Sequence, residues 1–141
     1  MAISPSSTRP DAALLALRPA IADQLPANAP FATVADFQHQ VLRPLLKLQH
    51  GVLLATVADF AHEYRLPLHG SEAEIGPALE ELLARNTRLR ATIMGLVVGL
   101  LTEAEMAFYR QHRPELNRRL LDLAQQRLRS SLADLRFVAE A

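Results

Sequence analysis

Residues 88–101, RLRATIMGLVVGLL, decide the fold class of this chain. Drawn as a helix, the stretch is apolar nearly all round, and it is shorter than the ~20 residues that a membrane span needs. A helix that is apolar on every side is normally buried among other helices. The stretch therefore predicts an apolar central helix, at about 88–101, that other helices surround.

Small side chains follow one side of this predicted helix. Ala91, Gly95, Gly99 and Thr102 recur at spacings of three and four residues. Glycine inside a helix costs about 1 kcal/mol relative to alanine, so two glycines here suggest that another backbone passes close by. We predict a tight helix crossing at these four residues, and we expect Gly99→Leu to destabilise the fold by about 1–3 kcal/mol through overpacking.

The rest of the sequence also has helical patterns. Thr33 and Asp36 resemble the start of a helix with a capping box, and the pattern continues to about residue 64, with Pro44 predicted to bend the helix without ending it. Pro114 opens a long C-terminal helix, at about 114–138. Because no alternating, β-branched run bounded by turns occurs, the sequence predicts an all-α fold, a compact bundle of five or six helices.

The length of 141 residues is typical of a single domain. Residues 1–9 are small and polar, which predicts a flexible N-terminal tail. We assign 10–138 to a single helical domain and 139–141 to a flexible C-terminus. The first residues contain no basic segment followed by an apolar run, so we expect no signal peptide, a cytoplasmic location and no membrane insertion.

Composition excludes several kinds of site. The sequence contains no cysteine, which rules out disulfides, thiolate metal sites and cysteine nucleophiles. The five histidines do not form a His-Glu-x-x-His pattern, and no glycine-rich phosphate loop or nucleophile elbow is present. We therefore predict no catalytic, metal-binding or cofactor-binding residues, no cofactor, and a protein that is not an enzyme.

Charge is balanced, with 15 basic and 15 acidic residues, so no overall field attracts nucleic acid. Within the predicted C-terminal helix, however, Arg118, Arg129 and Arg136 fall within about 20° of one another around the axis. They form a candidate face for an anion or a partner. The alternative is a solvated face with intrahelical ion pairs, such as Arg118 with Asp122.

The segment from Pro114-Glu115-Leu116 through the leucine-rich C-terminus generically resembles the terminal helices of bacterial ligand-responsive repressors. For the whole chain, our leading interpretation is a non-enzymatic helical interaction or scaffold protein that self-associates, most simply as a homodimer. Another protein is a possible further partner. The alternatives are a small-molecule-binding regulatory helical domain with an apolar pocket and, less favoured, an arginine-dependent nucleic-acid binder.

Overall fold

The computed structural model describes residues 8–20 and 31–140, and all the regular elements in these ranges are helical. The predicted all-α bundle is therefore confirmed, although several predicted helices are divided into shorter ones. The elements are α1 (Asp11–Ala16), α2 (Val34–Phe37), a π-helical segment (Gln38–Leu42), α3 (Arg43–Leu48), α4 (His50–Glu63), α5 (Glu72–Arg85), α6 (Thr87–Val98), α7 (Glu103–Gln111), α8 (Arg113–Arg129) and α9 (Leu132–Glu140).

The start of α2 is the predicted capping box. The Thr33 hydroxyl accepts a hydrogen bond from the Asp36 backbone N–H at 3.1 Å, and the Asp36 carboxylate accepts one from the Thr33 N–H at 3.3 Å. Two of the N–H groups that a helix start leaves without partners are thereby satisfied.

The chain stays helical through Pro44, as predicted. Proline has no N–H to donate to the carbonyl four residues earlier, and the turn before Pro44 is widened into the π-helical segment, where bonds span five residues. At its end the Arg43 N–H donates to the carbonyl of Gln38. The widened turn thus absorbs the proline, and α3 and α4 are separated only at Gln49.

A single apolar core holds the helices together. α8 contacts the π-helical segment, α5, α6, α7 and α9, and α4 packs along α9. The large side chains with almost no exposed surface are Phe37, Leu42, Leu45, Leu53, Ile75, Leu89, Ile93, Leu101, Leu116, Leu120, Leu128 and Leu135.

The long C-terminal helix occupies the predicted place but is interrupted between α8 and α9. The Gln126 carbonyl there accepts from both the Ser130 N–H at 3.1 Å and the Ser130 hydroxyl at 3.0 Å. α9 then continues to Glu140, past the predicted domain end at 138, and the carbonyl of Ala139 lies 3.1 Å from His62 Nε2. Of the predicted flexible ends, residues 1–7 and 141 lie outside the described residues.

The apolar helix predicted at 88–101 is α6. It packs against α4, α5 and α8, but only one of its faces is buried, the one that carries Leu89, Ile93 and Val97. The remaining sides of α6 lie partly or fully at the surface.

Candidate functional site

The small-residue side of α6 does not form the predicted crossing. A Cβ atom added at Gly95 would have nothing within 4 Å, and one added at Gly99 would meet only the Gly95 carbonyl at 3.0 Å. Ala91 is exposed as well. Among the described residues, no second helix backbone lies against Gly95 or Gly99, so the predicted tight crossing is wrong. The loss of stability expected for Gly99→Leu stays a prediction, since a Cβ atom there would press on the Gly95 carbonyl instead of on a second helix. Leu89, Ile93 and Val97, which are spaced by four residues, pack into the core. The small residues on the opposite side of α6 therefore face outward.

Thr102, the fourth residue of that prediction, has a different role. It is the N-cap of α7, where its hydroxyl accepts from the Glu105 N–H at 3.3 Å and its own N–H donates to Glu105 Oε1 at 2.9 Å. Thr102 is buried because the end of α6 and the start of α7 meet there. It therefore belongs to a helix cap rather than to a helix crossing.

α4 and α6 pack side by side in opposite directions. At one end Gln49 Nε2 donates to the carbonyl of Leu96 at 2.8 Å, and at the other Arg88 forms an ion pair with Glu63. The Arg88 guanidinium also lies 4.9 Å from the ring centre of Phe60. These contacts fix which sides of the two helices adjoin.

The outward surface of this helix pair, here called the α4–α6 face, consists of Val52, Thr56, Ala91 and Gly95. Val52 and Thr56 precede Glu63 by close to whole numbers of helical turns, and Gly95 follows Arg88 by close to two turns, whereas Ala91 lies about 60° short of one turn from Arg88. These residues therefore lie on the sides of α4 and α6 that are turned away from the buried core. Val52 is 47% exposed, Thr56 is partly buried, and the other two are exposed.

The predicted arginine face is not continuous. The break between α8 and α9 puts Arg136 on a different helix from Arg118 and Arg129, so the expectation of one stripe on one helix is wrong. Each arginine has its own intramolecular partner: Arg118 lies 3.6 Å from Asp122, Arg129 pairs with Glu80, and Arg136 donates to the carbonyl of Gly70.

Two arginines that the sequence pattern did not single out share a cleft between α3 and α8. Arg43 Nη1 lies 3.0 Å from His39 Nδ1, and Arg127 Nη1 lies 3.4 Å from His50 Nδ1. Burial and, secondarily, the charge of Arg43 lower the pKa of Arg127. The cleft has a volume of about 290 Å³ and is lined by Arg43, Leu46, Leu123, Gln126, Arg127, Ser130 and Ser131.

A second, more apolar groove lies between the end of α4 and α5. It has a volume of about 510 Å³ and is lined by residues that include Tyr64, Leu66, Pro67, Ala78 and Leu82. Tyr64 is 48% exposed, so an aromatic surface is accessible there. The charged side chains of Arg65, Glu81 and Arg85 also line this groove.

In residues 8–20 and 31–140, no group of three or more histidine, aspartate or glutamate side chains is arranged to hold a metal ion. None of the helices in these ranges has the length and apolar character of a membrane span. No protein-family model matches the chain, and neither the curated proteins nor the solved structures include a significant match to it.

Proposed function

We propose that this chain is a non-enzymatic, cytoplasmic helical interaction protein that forms a homodimer through the α4–α6 face. The observation that carries the proposal is the open space beside Gly95. Gly95 lies inside a helix of 12 residues, where glycine costs about 1 kcal/mol relative to alanine. Nothing in the described chain lies within 4 Å of its absent side chain. The approach of a second backbone, from another copy, would give this glycine a use.

The chemistry of the α4–α6 face supports the same proposal. Three of its four side chains are small or absent, which lets helix axes approach to the near end of the usual 8–10 Å range. Val52 supplies exposed apolar area, and the Glu63–Arg88 pair provides a polar rim. A two-fold axis would place the same face on both copies, and the net charge of zero gives little overall repulsion between them.

The test is a leucine at Gly95, with a leucine at Gly51 as the matched control. Gly51 is also exposed and helical, with nothing within 4 Å of an added Cβ. It lies on the same side of α4 as His62, which contacts α9, and hence away from α6. Both variants should fold, because the Cβ atom added at either position has no neighbour within 4 Å beyond its own stretch of helix.

We expect Gly95→Leu to be monomeric in sedimentation equilibrium at concentrations where the wild type and Gly51→Leu are dimers. Dimers of unchanged stability in Gly95→Leu would show that the α4–α6 face is not the contact. Dissociation by both substitutions alike would remove the assignment to this face, because the control lies about 100° around α4 from Val52.

The groove between α4 and α5 favours a second candidate function, the binding of an apolar small molecule. Its lining is mostly apolar and includes a half-exposed tyrosine, as is common in ligand sites. Native mass spectrometry of the protein purified from its host tests this. A bound organic mass that is lost in Ala78→Phe, which fills the groove, would support it, and a bare polypeptide mass would count against it.

A further inference from the structure

We propose that the cleft between α3 and α8, here called the Arg43–Arg127 cleft, binds the phosphate group of a small organic phosphate monoester. Its lining brings together two guanidinium groups from separate helices, an amide, two hydroxyls and two leucines, and it includes no carboxylate. The site is distinct from the α4–α6 face, so the proposal does not depend on self-association.

The cleft is distinguished by two arginines that line it together without a carboxylate; single arginines without a carboxylate ion pair, such as Arg90 and Arg113, also occur in the described ranges. In the described ranges, six arginines form ion pairs with carboxylates: Arg18, Arg85, Arg88, Arg118, Arg119 and Arg129. Arg43 and Arg127 instead lie beside histidine ring nitrogens, His39 Nδ1 and His50 Nδ1. Two like charges thus face one cavity, and neither has a carboxylate partner in the described part of the chain.

The lining of the Arg43–Arg127 cleft supplies no counter-charge to its two arginines. The pKa of Arg127 is lowered by burial and then by Arg43, which means that the surroundings disfavour its charged form. A bound dianion would offset the repulsion between the two guanidinium groups, since it would attract both at once. Asp134, in the first turn of α9, is the nearest acid along the chain to the two serines, but it does not line the cleft.

The donors in the cleft suit a phosphate group. Guanidinium groups donate two parallel hydrogen bonds to phosphate oxygens, and the Gln126 amide and Ser131 hydroxyl can add further donors. The Ser130 hydroxyl already donates to the Gln126 carbonyl. Leu46 and Leu123 form an apolar wall, against which the organic part of a monoester can pack, and the volume is close to that of small-ligand sites.

Titration calorimetry of the full chain with inorganic phosphate and with phenyl phosphate, at an ionic strength held constant with sodium chloride, tests the proposal. We expect both to bind, phenyl phosphate more tightly because it also covers the leucines. No heat of binding from either ligand would overturn the proposal. Equal affinities would overturn the part of it that assigns an organic monoester.

Substitutions locate the site. Arg43→Gln and Arg127→Gln should each weaken phenyl phosphate binding by about tenfold or more, since each removes charged hydrogen bonds. Both variants should fold, because each relieves the repulsion in the cleft. The control is Arg110→Gln, an exposed residue of α7 that does not line the cleft, so that one positive charge is removed elsewhere.

If Arg110→Gln weakened binding as much as Arg127→Gln, the loss would come from the lower overall positive charge of the protein, and the cleft would not be the site. A single-stranded oligonucleotide that bound through Arg127 and was not displaced by phenyl phosphate would assign the cleft to nucleic acid and overturn the proposal.

Discussion

Arg18 and Glu105 form a buried ion pair with two hydrogen bonds, which joins the N-terminal segment to the start of α7. Arg18 Nη1 lies 2.6 Å from Glu105 Oε2 and Nη2 lies 2.5 Å from Oε1, and the side chains are 1% and 4% exposed. Glu105 Oε1 also accepts the Thr102 N–H. The same carboxylate therefore caps α7 and holds Arg18 in place.

Polar contacts, rather than a buried apolar face, hold the rest of this segment. α1 has no buried residue. The Arg9 guanidinium donates to the carbonyls of Gly99 at 2.6 Å and Leu101 at 3.2 Å, and Asp11 accepts from the Glu103 N–H at 3.3 Å. The segment thus forms hydrogen bonds with backbone groups at the end of α6 and the start of α7, where such groups lack partners within their own helices.

We predict that Arg18→Met destabilises the protein by about 3–5 kcal/mol, because it leaves the Glu105 carboxylate buried without its counter-charge. Urea denaturation measures the loss. The control is Arg85→Met, since Arg85 pairs with Glu81 in an exposed position and such pairs contribute little. Equal losses in the two variants would mean that the buried pair does not anchor the segment.

Gly95→Ala should stabilise the monomer by about 0.5–1 kcal/mol, through helix propensity alone. Gly51→Ala should do the same, because neither added methyl group meets another atom. Thermal denaturation in dilute solution, where dissociation is complete, measures both effects. A loss of stability in Gly95→Ala alone would mean that a part of the same chain packs against this glycine.

The capping box of α2 should make folding stability depend on acid. Hydrogen bonds from the Ala32 backbone N–H and from Thr33 lower the pKa of Asp36. Since the pKa is lower in the folded state, the contribution is complete above the unfolded-state pKa, near 4, and is lost as the pH falls through the folded-state pKa. Carboxyl NMR titration should show this lowered pKa and its return towards the ordinary value in Thr33→Ala. An unchanged pKa in that variant would contradict the role of the cap.

The fold class and several helix starts could be predicted because their signals are local. Thr33 with Asp36 is a capping motif within one turn, and Pro44 affects only the turn before it. The orientation of α6 could not be predicted in this way. Its periodicity shows that Leu89, Ile93 and Val97 share one side and that Ala91 and Gly95 share another. Periodicity does not show which of these two sides packs against the core, because neither side carries a charge.

The contacts of the candidate sites depend on residues far apart in the sequence. Arg43 and Arg127 belong to different helices, and only the packing of α3 near α8 brings them to one cleft. Arg18 and Glu105 are likewise distant along the chain. The break between α8 and α9 falls at Ser130 and Ser131, inside a leucine-rich pattern that by itself predicts one continuous helix.

The mass of the wild-type protein in solution tests the central claim, self-association, most directly. Static light scattering at micromolar concentration should give twice the chain mass of 15.6 kDa, because the α4–α6 face is then covered by a second copy. A single species at 15.6 kDa across that range would contradict the account.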